Sequence, residues 1–295
     1  MNILLAVDAS SASEAVVNEV AARPWPAGSQ VKVLTAIEDL ETWALGSMAE
    51  EVDACARQSA EVAAKHLQAH GLKTQIAVAK GDPKTVILDH AAAMPADLIV
   101  LGASGQGAVE RFLLGSVSRA VLRFAPCSVA IVRENLAEAD AGIKVLLAVD
   151  GSEGSRHAAE AVAARPWPSG TEIRVFSVVE LGMSALQGAF EIPAFDSEHL
   201  ESQRAAAMKR TEEAIDSALK ILEAAGLTAS ESISVLAATP KELILQEAAE
   251  WPANWIVLGS HGSSGLSRFL IGSTSETVAT HATCSVEVVR QKPSA

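Results

Sequence analysis

The chain has 295 residues and a formal net charge of −13 at pH 7, with 49% hydrophobic and 20% charged residues. This acidic balance disfavours nucleic acid or an anionic membrane as the main partner and fits a cytoplasmic protein. No apolar run approaches the ~18 residues of a membrane span, and no basic region with an apolar core marks a signal peptide at the N-terminus. The cysteines form no CxxC pair, so we expect Cys127 and Cys284, which open similar apolar runs, to be buried and reduced.

The sequence consists of two similar halves. Residues 1–26 align with 143–168, and both segments end in RPWP. The halves also finish alike, with RFAPCSVAIVR at 123–133 and THATCSVEVVR at 280–290. The offset grows from 142 residues at the start to 157 at the end, so the second half carries an insertion, which falls within 181–199. We therefore predict two domains, 1–134 and 142–291, joined by a short linker.

Within each half, short apolar runs alternate with longer amphipathic segments. In the first half, the pattern predicts strands at 2–7, 30–37, 73–79, 97–101 and 127–132, and helices at 12–22, 45–70, 83–94 and 115–125. In the second half, it predicts strands at 143–149, 171–179, 230–237, 254–258 and 284–289. Most of these runs are rich in Val, Ile and Leu without alternation, which is typical of parallel strands covered on both faces. The sequence predicts an α/β protein with two tandem Rossmann-like, doubly wound domains.

A glycine pattern follows the fourth predicted strand of each half. Gly102 and Gly105 are followed after nine residues by Gly115-Ser116, and Gly259 and Gly262 are followed after nine residues by Gly272-Ser273. Glycines let backbone N–H groups approach an anion, and the helix that begins at Gly-Ser adds unpaired N–H groups and a positive dipole end. The pattern predicts a phosphate site in each half, although both serines could also be helix caps.

Signals for catalysis or for other nucleotide folds are weak. The first strand runs into Asp8-Ala9-Ser10 rather than GxGxxG, and no GxxxxGK occurs. No second acidic residue recurs near the glycine loops to hold a catalytic metal, and no HExxH is present. We therefore assign no catalytic and no metal-binding residue.

Two stretches resemble a universal stress protein domain. They are ILLAVDASSASEAVV (3–17) and GDPKTVILDHAAAMPADLIVLGASGQGAVERFLLGSVSRAVLRFAPCSVAIVR (81–133), and the similarity extends over nearly all of both halves. The chain thus resembles a tandem universal stress protein, and its glycine pattern matches the ATP-binding branch of that family. The resemblance implies a five-stranded parallel sheet of order 3-2-1-4-5 in each domain, with ligands at the switch point between strands 1 and 4. The SGGxDS and HIGH sequences of related enzymes are absent.

The resemblance also implies a set of nucleotide-binding residues. Asp8 and Asp150 would contact the adenosine, and the backbone at Ala36 and Val178 would hold the adenine edge. The glycine loops would hold ribose and phosphates through Gly102, Gly105, Gly115, Ser116, Val117 and Ser118 in the first half, and Gly259, Gly262, Gly272, Ser273, Thr274 and Ser275 in the second. Each aspartate has an alternative role as a cap of the following turn, through Ser10 or Ser152.

Three further loop residues have side chains that could face the ligand. Arg111 and Arg268 occupy matching positions, where they either screen phosphate charge or face solvent. His261 lies within the second loop, and its counterpart in the first is Ser104. We interpret His261 as lining the pocket rather than as catalytic.

The implied function is nucleotide-dependent sensing or regulation in a stress response rather than enzymatic turnover. The chain would bind up to two ATP molecules, with any Mg²⁺ held mainly by the phosphates. Bound ATP would order the loops at 102–116 and 259–273 and so change the surface offered to a regulatory protein partner. Two alternatives remain open: a slow ATPase of the same fold, and an interaction module that binds no nucleotide.

We expect the two halves to pair with each other and to differ in their nucleotide sites. In the family, domains pair through the C-terminal edge strand, here 128–132 and 285–289, so we predict an internal pseudo-dimer that can pair further as a homodimer. The insertion within 181–199 begins beside the second adenine pocket. It would either pack on its own surface or serve as a lid or partner contact, and we expect the two sites to differ in affinity.

Overall fold

The computed structural model describes residues 1–8, 10–23, 25–38, 46–104, 114–133, 142–179, 197–234, 239–262 and 271–291. In the first half, the elements are β1 (Asn2–Ala6), α1 (Ser11–Ala22), β2 (Gln30–Ile37), α2 (Gly46–Ala69), β3 (Lys73–Lys80), α3 (Pro83–Ala93), β4 (Leu98–Gly102), α4 (Ser116–Phe124) and β5 (Ser128–Val132). In the second half, they are β6 (Lys144–Ala148), α5 (Glu153–Ala163), β7 (Glu172–Val178), α6 (Ser197–Ala224), β8 (Ala229–Ser234), α7 (Pro240–Glu250), β9 (Trp255–Gly259), α8 (Ser273–His281) and β10 (Ser285–Val289). Each of the ten predicted strands is present.

The strands of each half form a parallel sheet of the predicted order. The spatial order is β3-β2-β1-β4-β5 in the first half and β8-β7-β6-β9-β10 in the second, which is 3-2-1-4-5 in both. Helices cover both faces, so the doubly wound fold class is confirmed. The domain boundaries 1–134 and 142–291 stay a prediction.

The two sheets are joined into one of ten strands. β5 pairs antiparallel with β10, and Ala130 lies directly opposite Glu287 at the centre of this ladder. The internal pairing of the C-terminal strands therefore occurs as predicted. It places β3 and β8 at the two outer edges of the sheet.

Two apolar layers cover the sheet, and both contain residues from each half. On one face, α1, α2, α5 and α6 pack on fully buried side chains such as Leu5 and Leu147. On the other face, α3, α4, α7 and α8 pack on Leu4 and Leu146. Because successive side chains of a strand point to opposite faces, runs without polar residues fill both layers at once.

Two arginines hold helices across the junction in a reciprocal arrangement. Arg133 follows β5 and donates from Nη2 to the carbonyls of Ala279 (2.8 Å) and Thr280 (3.1 Å), near the end of α8. Arg290 follows β10 and donates to the carbonyls of Leu122 (2.8 Å) and Arg123 (3.0 Å), at the end of α4. A cation and its donors are favourable at a helix C-terminus, where carbonyls lack partners. Each half thus caps a helix of the other half.

The cysteines behave largely as expected. Cys127 and Cys284 are buried and take part in no disulfide bond, whereas Cys55 is exposed. Burial raises the pKa of the Cys284 thiol to about 11. Cys284 is therefore protonated at neutral pH and packs as a small apolar residue.

Candidate functional site

The carboxyl ends of the first and fourth strands lie side by side in both halves. β1 pairs with β4, and β6 pairs with β9, so the residues that follow these strands share one end of each half-sheet. Gly115 N–H donates to Ala103 O at 2.8 Å, and Gly272 N–H donates to Ser260 O at 2.7 Å. Each glycine loop therefore starts and returns beside the strand that precedes it. The fold therefore forms the predicted switch point in each half, and we call the space at this switch point the crevice.

The helices that begin at these crevices have no side-chain cap. At α1, α3 and α5, the side chains of Ser10, Asp82 and Ser152 accept a hydrogen bond from the first turn. At α4 and α8, the N-cap residues are Gly115 and Gly272, and among the described residues no side chain caps the first turn. An uncapped helix N-terminus offers backbone N–H groups and a positive dipole end to an external anion.

Two of the predicted phosphate residues hold the crevice together. The hydroxyls of Ser118 and Ser275 are buried, and they donate to Gly102 O and Gly259 O, each at 2.7 Å. These bonds tie the first turn of α4 to the end of β4, and α8 to β9. The hydroxyl protons are thus used within the protein, and only the backbone N–H groups of these serines remain to face a phosphate. Ser116 and Ser273, by contrast, are exposed.

The two strand-end aspartates differ in their surroundings. Asp8 Oδ1 accepts from the backbone N–H of Ser10 (2.9 Å) and from the hydroxyl of Ser13 (2.7 Å), and it also contacts the Ser10 hydroxyl. This network supports the capping role at the start of α1. Asp150 Oδ1 accepts the corresponding N–H, that of Ser152 (3.0 Å), whereas the matching hydroxyl, that of Ser155, donates to Ser152 O (2.9 Å).

Asp150 also sets the residue type at position 262. A Cβ built on Gly262 would lie 2.6 Å from Asp150 Oδ2, closer than real Cβ contacts. The carboxylate therefore lies against the glycine loop, and position 262 has no room for a side chain unless Asp150 moves. This contact joins the strand-end aspartate and the glycine loop into one site in the second half.

The backbone of Ala36 faces the crevice beyond the end of β1. Leu34 O accepts from Val7 N–H on the β1 side at 2.9 Å, and Ile37 O accepts from Gly81 N–H on the β3 side at 2.9 Å. Because backbone groups of a strand alternate between its two neighbours, the N–H and C=O of Ala36 point to the β1 side, where β1 has ended at Ala6. β7 repeats this alternation, so Val178 occupies the same place in the second half. A neighbouring donor and acceptor match the donor and acceptor on one edge of adenine.

His261 is held by its neighbour in the second loop. Its Nδ1 lies 3.0 Å from the Ser260 hydroxyl, and its Nε2 is buried without a hydrogen-bond partner among the described residues. Burial lowers the pKa of His261, and the charge of Arg290 lowers it further. The imidazole is therefore neutral at pH 7, and it has no counterpart in the first half, since Ser104 stands at the matching position.

Sequence reasoning missed a close backbone contact beneath the second crevice. A Cβ on Gly154, in the first turn of α5, would lie 2.3 Å from His261 O, and one on Gly259 would lie 2.5 Å from Gly154 C. The counterpart of Gly154 is Ala12, so this glycine belongs to the second half only. The difference between DGSEGS and DASSAS at the two strand ends was the available signal.

A groove that no sequence motif predicted opens beside the first crevice. It lies between α1 and α2, has a volume of about 450 Å³, and reaches from Asp8 past Ser13 and Cys55 to His66. Its walls carry both apolar and polar side chains, and Cys55 and His66 are exposed. The sequence gives no periodic signal for such a groove because it depends on how far the two helices stand apart.

Several expectations lie outside the described residues. They concern Gly105, Arg111, Arg268 and most of the insertion predicted within 181–199. Within the described ranges, no group of three or more His, Cys, Asp and Glu side chains could hold a metal ion. None of the described helices is long and apolar enough to cross a membrane.

Comparison with known proteins gives one consistent result. The model of the universal stress protein family matches residues 1–133 and 143–290. A universal stress protein of Mycolicibacterium smegmatis is 28% identical over 98% of this chain and 97% of its own length. One of Mycobacterium tuberculosis is 30% identical over 66% of this chain and 62% of its own length.

Solved structures give the same fold. The crystal structure of a universal stress protein from Archaeoglobus fulgidus has a TM-score of 0.67 at 23% identity, and the alignment covers 98% of this chain and 96% of that one. Since the family model accounts for nearly all of both halves, the chain belongs to the universal stress protein family.

Proposed function

We propose that the chain binds ATP in both crevices and acts as a nucleotide-dependent sensor or regulator. The observation that carries this proposal is the repeated pairing of an uncapped helix N-terminus with a strand-end aspartate, at Gly115 and Asp8 and again at Gly272 and Asp150. The helix starts of α1, α3 and α5 each have their own side-chain acceptor, and at α7 Glu242 accepts from the N-cap N–H. An acceptor supplied from outside is the simplest partner for the two that lack one.

Each residue would have a distinct role toward the nucleotide. The backbone N–H groups of 116–118 and 273–275 would bind phosphate oxygens, and the Ser116 and Ser273 hydroxyls would add further donors. Asp8 and Asp150 would accept hydrogen bonds from the ribose, and the backbone of Ala36 and Val178 would pair with the adenine edge. Any Mg²⁺ would be held mainly by the phosphates, since no protein cluster of metal ligands is seen in the described ranges.

Regulation would follow from binding rather than from chemistry. A ligand that binds one conformation stabilises it by mass action, and here it would fix loops 102–116 and 259–273 against the helix starts. A regulatory partner would then distinguish loaded from empty protein. Fast phosphoryl transfer also needs metal ligands and a group that orients the attacking water. Neither recurs near the loops in the sequence, so we propose no enzymatic role.

Matched variants of the two glycine loops test the proposal. Gly262→Val would push on Asp150 and block the second crevice, and Gly105→Val would block the first. We expect calorimetry to give two ATP per wild-type chain, one per single variant and none for the double variant. Each single variant is the control for the other, and unchanged circular dichroism would exclude unfolding.

Other outcomes favour the alternatives. Two bound nucleotides in either single variant would overturn the assignment of the loops. A wild-type chain that binds no adenine nucleotide would point to an interaction module instead. Phosphate release that disappears in Gly262→Val would favour a slow ATPase.

A further inference from the structure

A cluster of charged and indole side chains lies buried where the two halves meet. It occupies the face of the sheet covered by α1 and α5, away from the nucleotide crevices. Arg23 is 5% exposed, Arg165 is 7% exposed and Glu287 is 1% exposed. Charged groups are costly to remove from water unless they are well paired. Their presence at the junction therefore calls for a physical reason.

One carboxylate is shared by an arginine from each half. Glu287 of β10 binds Arg165 Nη2 through Oε1, and its Oε2 lies 3.8 Å from Arg23 Nη1. Arg23 Nη2 also donates to Glu19 Oε1, one turn earlier on α1, at 2.9 Å. The Trp255 ring from the second half lies 3.9 Å from the Arg23 guanidinium, and its Nε1 donates to Glu19 at 3.1 Å. The second half thus supplies a carboxylate and an indole, which contact the Arg23–Glu19 ion pair of the first half.

The two arginines are repeat equivalents, but their partners are not. Arg23 and Arg165 open the two RPWP motifs, so they approach the junction from opposite sides. Each of the other three members has an apolar counterpart in the other half: Glu19 matches Ala161, Glu287 matches Ala130, and Trp255 matches Leu98. In addition, Ala130 and Glu287 are direct partners in the β5–β10 ladder. The centre of the junction therefore carries one carboxylate between two arginines only because the halves differ.

We propose that this cluster specifies the pairing of unlike halves. Two first halves joined through β5 would carry Ala130 on both strands, so each Arg23 would keep its own Glu19 but no carboxylate would lie between the two arginines. Two second halves joined through β10 would place two Glu287 side chains directly opposite each other, and like charges directly opposite on antiparallel strands are destabilising. Only the unlike pair places a single negative charge between two positive ones.

The bonding of the cluster supports selectivity rather than maximal stability. Within the described ranges, three atoms of the cluster have no hydrogen-bond partner: Arg23 Nε, Arg165 Nη1 and Glu287 Oε2. Burial lowers the pKa of Arg23, and the nearby Arg165 lowers it further. A junction selected for stability alone would be apolar, because well-packed apolar residues often match or exceed buried ion pairs. A charged arrangement of this kind adds discrimination against wrong partners, which an apolar junction would lack.

The position of the shared carboxylate can be moved to test this inference. Because directly paired residues of an antiparallel ladder project to the same face, a glutamate at 130 would reach the same space as one at 287. We expect Glu287→Ala to lower the folded-to-unfolded ratio of the full chain by about 100-fold or more. The double variant Ala130→Glu/Glu287→Ala should regain at least about tenfold of this loss. Urea unfolding measures both.

Two further variants separate charge from volume. Ala130→Gln/Glu287→Ala supplies a similar side chain without the charge and should not restore stability. Ala130→Glu alone places two carboxylates at the centre and should destabilise. If Glu287→Ala does not fold, recovery of folding in the double variant gives the same answer. Equal stability of the glutamate and glutamine double variants would overturn the shared-carboxylate inference.

Partner choice can be measured on the nicked protein. A protease site placed within 134–141 of the full chain allows cleavage after folding, and mild urea then lets the pieces exchange. Native mass spectrometry should detect complexes of one N-terminal and one C-terminal piece, with like pairs at less than about a tenth of the statistical share. Like pairs in statistical proportion, or separated pieces, would overturn the pairing inference.

Discussion

At the residue scale, the two crevices share their backbone geometry but differ in charge. In the first turn of α4, Arg119 donates from Nη2 to Leu114 O at 3.4 Å, beside the end of the glycine loop. The matching residue of α8 is Glu276, whose carboxylate lies 3.5 Å from Arg123 of α4. A cation near the phosphates attracts them, whereas an anion in the first turn competes with them for the helix dipole. For the proposed nucleotide, the first crevice would therefore favour a highly charged polyphosphate more than the second.

Neutral amide variants test this charge difference. Charges near a helix N-terminus contribute about 0.3–1 kcal/mol, so Arg119→Gln should weaken ATP binding at the first site by about twofold to fivefold. Glu276→Gln should strengthen ATP binding at the second site by a similar factor. Site-resolved calorimetry in the Gly262→Val and Gly105→Val backgrounds measures each site alone. Adenosine is the control ligand because it carries no phosphate, and equal effects on adenosine and ATP would contradict the electrostatic explanation.

At the element scale, α4 and α8 connect the two crevices to the junction. Each helix begins at a glycine loop and ends under an arginine from the other half. Arg133 is the more deeply bound of the two arginines, since it also approaches Cys284 O at 3.4 Å and is only 9% exposed. The arginine after β5 thereby fixes α8, which begins at the second crevice. The arginine after β10 fixes α4, which begins at the first crevice.

Removal of the two arginines should destabilise the chain unequally. Arg133→Ala leaves buried carbonyls at the end of α8 without a donor, and we expect a loss of about 2–3 kcal/mol in the free energy of unfolding. Arg290→Ala should cost about 1–2 kcal/mol because its site is more open to water. The lysine variants keep the charge but lose the forked donors, so they should fall between alanine and wild type. Urea unfolding checks the order, and an equal or larger loss for Arg290→Ala would contradict it.

The elements could be predicted from sequence, whereas the contacts between them could not. Runs such as LIVL before Gly102 mark buried strands, and Asp82-Pro83 marks the start of α3, because these signals are local. Glu287, in contrast, looks like simple alternation within SVEVV, and its partners Arg23 and Arg165 lie far away in the chain. Its role becomes visible only once the β5–β10 register is known.

Residue roles at the crevices show the same limit. Ser118 follows Gly115 in a pattern typical of phosphate binding, yet its hydroxyl donates to Gly102 O. The acceptor that a hydroxyl meets depends on the distance between the helix start and the strand end. That distance is set by packing, and a sequence motif carries no information about it. The sequence therefore predicts where the crevice lies better than it predicts which atom of each residue faces a ligand.

At the scale of the whole molecule, the pairing of β5 with β10 places β3 and β8 at the two ends of the ten-stranded sheet. β3 begins at Lys73 and ends at Lys80, and charged ends of this kind disfavour edge-to-edge association. Since β5 and β10 are paired within the chain, a homodimer of closed chains would use another surface. The junction strands form the centre of the molecule rather than a contact between separate bodies.

Native-state hydrogen exchange should show this centre directly. The β5 and β10 strands are buried on both faces and paired on both sides, whereas β3 and β8 have one neighbour each and are largely accessible. Amides that open only on global unfolding exchange slowest. We therefore expect peptides covering 128–132 and 285–289 to exchange at least about 100-fold more slowly than those covering 73–80 and 229–234. Mass spectrometry of the intact chain provides the measurement, with β1 and β6, which are central strands of a single half, as internal references. If the junction strands exchanged faster than these references, the two halves would separate before either unfolds, and the ten-stranded sheet would not be one cooperative unit.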